Sequence, residues 1–370
     1  MIETTYIAPA LDRSVGLRRQ VTFQAMRVFS GWGYREIQVP LIDYFDALKG
    51  GLDEAQIQQT FRFVDSRGNV MMLRTDVTPA VAKLVAYQLR TQALPLRVSY
   101  ANKIVRIDRS LEGSNLERYS IGVELIGVPG LDAEIEVLLI ALELLERLGL
   151  GDYQVNVTDH GIANYLLNAT GAPRRIRNDV REAIVARDAA EVKRVLRQLG
   201  IRKHFVDAIS ALASLEGGLY QLSQIQDALP DDRELVRRLD EMRRLFGVLS
   251  ELGYKDRIRL DMAELGGAQY YTGIAFNIVS ESVGRSLGRG GRYDELIGER
   301  FDGFLRTGRR FAFLIGHPRL MRTGLRFAVG TDRIADITDL IAREDADTEE
   351  LIGGSGRQQS RGKVPVPGLS

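Results

Sequence analysis

Two stretches of the chain, LRVSYANKIVRI at residues 96–107 and YSIGVELI at residues 119–126, indicate the type of sheet to expect. Both are rich in the β-branched and aromatic residues that strands prefer. The polar loop DRSLEGSN, at residues 108–115, lies between them. This arrangement predicts a long antiparallel hairpin, and therefore a sheet that is antiparallel or mixed.

Further strands are predicted on both sides of this hairpin, where short runs of strand-forming residues are bounded by Gly, Pro or polar turns. These runs are YREIQVP (34–40), FRFVD (61–65), VMMLR (70–74), YQVNV (153–157), RIRLDMA (257–263), YYTGIAFNIV (270–279) and GLRFAVGTDRI (324–334), the last leading into a helix. The stretch GRGGRYD at 288–294 predicts a glycine-rich turn.

Helices are predicted where apolar residues recur at helical spacing, at residues 17–28, 79–89 and 132–148. Asp12 or Ser14 is available to cap the first of these helices, and Asp132 the last. Strands and helices that occupy separate parts of the chain indicate an α+β fold.

The middle of the chain has a different pattern. Residues 160–254 contain repeated helical periods with breaks at glycine and proline, which predicts a helical insertion. We therefore expect a discontinuous core domain formed by residues 1–159 and 255–345. The remaining residues, 346–370, are predicted to be a disordered tail from their polar composition.

Composition excludes several classes of function. The 370 residues include 50 basic and 49 acidic side chains, so no overall positive field favours nucleic acid. There is no cysteine and only three histidines, which are scattered, so neither a metal site nor a cofactor is expected. No apolar run is long enough to be a signal peptide or a membrane span, and we expect a soluble, cytoplasmic protein.

Four parts of the sequence, in order, resemble the core of a class II aminoacyl-tRNA synthetase, specifically the histidyl branch. YREIQVP resembles the first class motif, which forms a dimer interface. VRID (105–108) with YSIGVE (119–124) resembles the second, and GLRFAVGTDR (324–333) the third. YYTG (270–273) followed by GGRYD (290–294) is typical of the histidyl branch. The resemblance implies an antiparallel sheet core with flanking helices and a helical insertion.

The resemblance also implies a site for histidine. Five residues match family positions that hold the amino group and the imidazole of histidine. These candidates are Asp76, Thr78, Glu124, Tyr270 and Tyr271. Carboxylates suit an ammonium and a ring N–H, and tyrosine offers a flat apolar ring with a polar tip. Ser120 stands where the family uses a glutamine on histidine. Arg106, which in the family binds the nucleotide or the carboxylate, and Arg333 are candidates for a vestigial nucleotide site.

Each of these residues also has a simpler structural interpretation. Asp76 suits a helix cap, Glu124 a buried ion pair, and the two tyrosines ordinary strand packing. Arg106 and Arg333, taken singly, are typical of surface salt bridges. Their occurrence together and in order is what favours the binding site.

One departure from the synthetases concerns catalysis. The family has an arginine four residues before YYTG, and this chain has Gly266 there. By analogy with arginine fingers, the loss of such a cation lowers the rate by about 10³- to 10⁵-fold. Amino acid activation is therefore expected to be negligible, and no catalytic residue is predicted.

A second departure concerns the end of the chain, where a histidyl synthetase continues as an anticodon-binding domain. We expect only the polar tail here, so tRNA binding is not predicted. A core of this kind resembles the regulatory subunits of ATP phosphoribosyltransferase. That resemblance implies a homodimeric core in a hetero-oligomer, a hetero-octamer in the family. Its partner would be the short-form catalytic subunit, and L-histidine would be a possible effector.

Two alternative functions remain open from the sequence. One is a truncated enzyme that activates an amino acid, and the other is a non-catalytic RNA-binding or scaffold protein. The segment 300–323 adds six arginines against one acidic residue. It predicts either a surface loop or a contact for an anion or a partner.

Overall fold

The computed structural model describes residues 12–89, 91–107, 116–228, 232–266, 270–280, 285–297 and 324–330, the last by its backbone. Arg333, the arginine-rich segment 300–323 and the tail 346–370 lie outside these residues.

A mixed, mostly antiparallel sheet of nine strands is the centre of the described part of the chain. Its strands, in spatial order, are β1 (Arg35–Glu36), β5 (Leu96–Val105), β6 (Glu117–Ile126), β12 (Gly324–Gly330), β11 (Arg285–Arg292), β10 (Ile274–Ser280), β7 (Gln154–Asp159), β9 (Ile258–Asp261) and β8 (Glu216–Gly217). The β5/β6 and β10/β11 pairs are antiparallel, whereas β1/β5 and β7/β9 are parallel. A smaller sheet contains β2 (Ile42–Tyr44), β4 (Val70–Leu73) and β3 (Arg62–Val64).

Helices precede, follow and interrupt these strands. They are α1 (Asp12–Gly31), α2 (Phe45–Leu48), α3 (Glu54–Gln58), α4 (Thr78–Leu84), α5 (Leu131–Arg147), α6 (His160–Ala169), α7 (Arg174–Val185), α8 (Ala189–Gln198), α9 (Lys203–Leu212), α10 (Ser223–Ala228) and α11 (Arg233–Glu251). A π-helical turn, Val85–Leu89, extends α4. In the described residues, no helix has the length and apolar content that crossing a bilayer requires.

The two faces of the large sheet have different environments. On β6, Ile121, Val123 and Leu125 belong to an apolar core that also contains buried residues of α1 and α5. Because side chains alternate along a strand, Ser120 and Glu124 lie on the opposite face. There a second buried cluster contains tyrosines of β5 and of the segments that flank β10 and β11. We call this second side the tyrosine face.

Helices α6 to α11 fill most of the predicted insertion, and their buried apolar residues belong to the same core as α1 and α5. The α+β class and the antiparallel hairpin predicted from residues 96–126 are confirmed. The domain boundaries at 159, 255 and 345 stay a prediction.

Three local predictions were wrong. Helix α5 begins at Leu131 after Gly130, which has a φ of 89°, so Asp132 lies in the first turn and does not cap the helix. Helix α1 already includes Asp12 and Ser14, so Ser14 is not its cap. The predicted glycine-rich turn is instead the end of strand β11.

A close contact explains the glycines of β11. A Cβ added at Gly291 would lie 2.8 Å from the ring of Tyr271 and 2.8 Å from Cβ of Ala275. The glycine therefore lets an aromatic ring approach the backbone of the strand, which is a recognised use of glycine inside a sheet.

Candidate functional site

Asp76 lies between β4 and α4, in a segment held by buried Arg74. The Arg74 guanidinium donates hydrogen bonds to the carbonyl oxygens of Val39 at 2.6 Å and Lys103 at 2.5 Å. The Asp76 carboxylate accepts from Tyr270 Oη at 3.0 Å and Gln56 Nε2 at 3.4 Å, and from the N–H of Val77 at 2.7 Å. Since α4 has no side-chain cap, the simpler interpretation of Asp76 as a helix cap is wrong.

Glu124 is fully buried on β6 and accepts hydrogen bonds from three hydroxyl groups. Thr78 Oγ1 lies 2.7 Å and Tyr100 Oη 3.3 Å from Oε1, and Tyr293 Oη lies 2.5 Å from Oε2. Burial and the neighbouring Glu124 raise the pKa of Tyr293 well above its usual value. The phenol therefore stays protonated and donates to the carboxylate.

Aromatic rings connect the two carboxylates. The ring of Tyr270 lies 5.3 Å from that of Tyr271 and 5.9 Å from that of Tyr293, both edge to face. Tyr271 also contacts His160, whose ring centroid is 5.3 Å away. Burial, with a smaller effect of Arg181, lowers the pKa of His160 to about 3, so this imidazole is neutral. The rings give the site flat, rigid walls.

Ser120 lies farther along the same face of β6, with Asn102 of β5 directly opposite in the register. Both side chains are buried. Arg106 follows the end of β5 and donates from Nε to the carbonyl oxygen of Thr75 at 2.7 Å. It therefore contacts the segment that carries Asp76.

Most of the residues predicted for the site share one connected group of contacts: Asp76, Thr78, Glu124, Tyr270 and Tyr271. Ser120 and Arg106 lie at its border. The sequence interpretation missed Gln56, Tyr100, Tyr293 and His160. Tyr100 was detectable in principle, because the β5/β6 register that places it opposite Gly122 also places it beside Glu124.

Gly266 lies before the YYTG segment, and a Cβ added there meets no atom within 4 Å among the described residues. A side chain at this position therefore has room at its first atom. The glycine is not explained by crowding, in contrast to Gly291.

A separate charged cavity of about 210 Å³ lies between α11 and the beginning of α5. Arg292 lines it and points to the side of the sheet opposite to its neighbour Gly291. Its charges pair with each other: Arg292 binds Glu134 at 2.5 and 2.6 Å, and Arg237 binds Glu241 at 2.5 Å. We therefore place the candidate site on the tyrosine face and not in this cavity.

The antiparallel sheet, with buried carboxylates and tyrosines on one face, defines a core of the class II aminoacyl-tRNA synthetase type. Residues 6–315 match the family model described as histidyl-tRNA synthetase. The chain therefore belongs to the histidyl-tRNA synthetase family.

Curated relatives are regulatory subunits of ATP phosphoribosyltransferase. The one from Geobacter sulfurreducens is 31% identical over 271 residues, which are 73% of this chain and 62% of the relative. The one from Geobacter metallireducens is 31% identical over 290 residues, 78% of this chain and 66% of the relative. The predicted resemblance is confirmed. The chain spans just under two thirds of the length of these relatives.

Solved structures share the fold. A regulatory subunit/histidyl-tRNA synthetase from Bacillus halodurans C has a TM-score of 0.75 and 24% identity, covering 96% of this chain and 91% of that chain. Histidyl-tRNA synthetase from Nostoc has a TM-score of 0.68 and 19% identity, covering 96% of this chain and 76% of that chain.

Proposed function

We propose that this chain is a regulatory subunit of ATP phosphoribosyltransferase that binds L-histidine on its tyrosine face without activating it. The partner is the short-form catalytic subunit, which performs the glycosyl transfer. The relatives that carry this name support the proposal. The complex operates in the cytoplasm, and the chain contributes as a homodimer within a hetero-oligomer.

The chemistry of the site supports an imidazole amino acid as the ligand. Two carboxylates, Asp76 and Glu124, lie within one network of buried hydroxyls and rings. An ammonium and a ring N–H are both donors, so each of them finds an acidic acceptor here. The aromatic rings fit the flat face of an imidazole.

A single observation carries the non-catalytic part of the proposal: glycine occupies position 266, where the family has an arginine. Without that cation, charge that develops during adenylate formation is not stabilised there. The loss corresponds to about 4 to 7 kcal/mol of transition-state free energy. A retained binding site with a missing catalytic group suits a sensor.

Reconstitution tests the proposal. The full chain is mixed with the short-form catalytic subunit, and turnover of ATP and phosphoribosyl pyrophosphate is measured with and without L-histidine. We expect the chain to raise turnover and L-histidine to lower it. The proposal is wrong if the catalytic subunit is equally active alone and L-histidine has no effect on the complex.

A second candidate function is amino acid activation by a synthetase-like enzyme. The match of residues 6–315 to the histidyl-tRNA synthetase family favours it. Exchange of pyrophosphate into ATP that depends on L-histidine distinguishes the two functions, because only the enzyme supports it.

A further inference from the structure

The Asn102 side chain carries a hydrogen-bond donor that none of the described residues uses. The residue is 4% exposed, and its Nδ2 makes no hydrogen bond with the described residues. Buried amide donors are nearly always paired, because an unpaired one loses its bonds to water without replacement. An unpaired donor at this place therefore points to an acceptor that is brought by a ligand.

The location of Asn102 identifies the site that it serves. Side chains of β5 alternate, and Val98, Tyr100 and Ile104 all belong to the cluster of the tyrosine face. Asn102 is two residues from both Tyr100 and Ile104, so its side chain lies on that face as well. In the register it stands opposite Ser120, while Glu124 stands opposite Val98.

Asn102 and Glu124 lie at different levels along the same face of the sheet. Ser120 and Glu124 are four residues apart on an extended strand, which corresponds to about 13 Å. The carboxylate of a zwitterionic amino acid needs a donor other than Asp76 and Glu124, because like charges repel. Asn102 carries a neutral donor and lies on the same face, at the end of β5 where Lys103, Val105 and Arg106 contact Arg74 and Thr75.

We propose that Asn102 donates its side-chain N–H to the carboxylate of the amino acid bound between Asp76 and Glu124. This inference rests on the proposed function and adds a residue that recognises the carboxylate. Ser120 on β6 carries a hydroxyl and no side-chain amide, and its cross-strand neighbour Asn102 supplies an amide from β5. An amide holds the carboxylate without contributing the positive charge that activation requires.

The test is titration calorimetry on the complex of the full chain with the catalytic subunit, using L-histidine and L-histidinol. L-Histidinol keeps the ammonium and imidazole but has a hydroxymethyl group in place of the carboxylate. We expect Asn102→Asp to lower the affinity for L-histidine by about 10- to 100-fold, because a donor to the carboxylate is replaced by a group of the same charge as the carboxylate. The affinity for L-histidinol should change by less than about 3-fold, since most of the loss depends on the carboxylate, which L-histidinol lacks.

Two further variants keep the test decisive. Asn102→Ala removes the donor without adding a charge, and it should lower the affinity for L-histidine by about 10-fold. Ser99→Ala is the matched control, because Ser99 Oγ is also buried and has no partner among the described residues, but it lies on the other face of β5. It should leave both affinities unchanged. Thermal unfolding of each variant without ligand confirms that it is folded.

The possible failures can be distinguished. If the wild-type complex binds no L-histidine, the proposed function is wrong and this inference falls with it. Only the role of Asn102 is wrong if the wild type binds L-histidine and both Asn102 variants bind it as tightly as the wild type. The same holds if both variants lose affinity for L-histidine and for L-histidinol by the same factor. The carboxylate would then be held by another group, such as Arg106.

Discussion

The hydroxyl of Tyr293 lies 2.5 Å from Oε2 of Glu124, although the two residues are separated by 169 positions in the sequence. The contact joins the segment after β11 to the last part of β6. It also fixes the carboxylate that we assign to the ligand. The stability of this part of the fold and the binding site therefore depend on the same hydrogen bond.

The first prediction concerns that hydroxyl. Tyr293→Phe leaves the buried Glu124 carboxylate with one donor fewer, and we expect a loss of about 1 to 3 kcal/mol of unfolding free energy. Urea unfolding followed by circular dichroism measures it. Tyr220→Phe is the control, because Tyr220 is 77% exposed, and it should change stability by less than about 0.5 kcal/mol. Equal effects of the two variants would contradict the importance of the Tyr293 contact.

The second prediction concerns the charge of Glu124. Glu124→Gln keeps the shape of the side chain but removes the negative charge, so L-histidine affinity should fall by about 10- to 100-fold. Titration calorimetry on the complex measures the change. Glu117→Gln is the matched control at the exposed beginning of the same strand, where Glu117 pairs with Lys103. Its affinity should equal that of the wild type, and an equal loss in both variants would argue against a specific role for Glu124.

The third prediction concerns the close packing at Gly291. In Gly291→Ala the new methyl group overlaps the Tyr271 ring, so we expect a loss of about 1 to 3 kcal/mol of stability. Gly16→Ala, at an exposed position of α1 where no atom of the described residues lies within 4 Å of the added Cβ, should instead stabilise the protein by about 0.5 to 1 kcal/mol. Chemical denaturation of both variants measures these differences. A neutral or stabilising Gly291→Ala would show that the ring is not held against the strand.

The fourth prediction concerns acid. In the unfolded chain His160 titrates near its ordinary pKa of 6.5, whereas burial lowers the pKa to about 3 in the folded protein. Between these values only the unfolded chain takes up the proton, so His160 makes the fold less stable as the pH falls from 6.5 to 3. His160→Gln removes this contribution.

From pH 7.5 to pH 5, wild-type stability should therefore fall by about 2 kcal/mol more than that of His160→Gln. Urea unfolding at the two pH values measures the difference. Buried Asp159, whose pKa burial raises to about 6, has the opposite dependence, but it is present in both proteins and cancels in the comparison. Parallel losses in the two proteins would contradict the buried, neutral state of His160.

The main features of the fold could be predicted because they depend on local patterns. The β5/β6 hairpin follows from two strand-forming runs that flank a polar loop, and most of the helices follow from apolar periodicity. The cap of α5 was predicted wrongly because Asp132 is a favourable capping residue in isolation, while the chain turns at Gly130 with a positive φ. At Gly291 the glycine serves a ring contact and not a turn, which no local pattern reveals.

The candidate site was predictable only in part. Resemblance to the family supplied Asp76, Thr78, Glu124 and the two tyrosines of the YYTG segment. Tyr293 and His160 were missed because their contacts bridge distant parts of the chain. Asn102 has no functional signal in the sequence, and it becomes visible only when the strand register places it opposite Ser120.

The most direct test of a site that binds L-histidine without activating it is pyrophosphate exchange into ATP by the full chain at saturating L-histidine, with occupancy of the site verified by calorimetry on the same sample. We expect L-histidine to bind and exchange to stay at the level measured without it. Clear exchange that depends on L-histidine would show that the chain forms an adenylate, and would contradict a site that binds without activating.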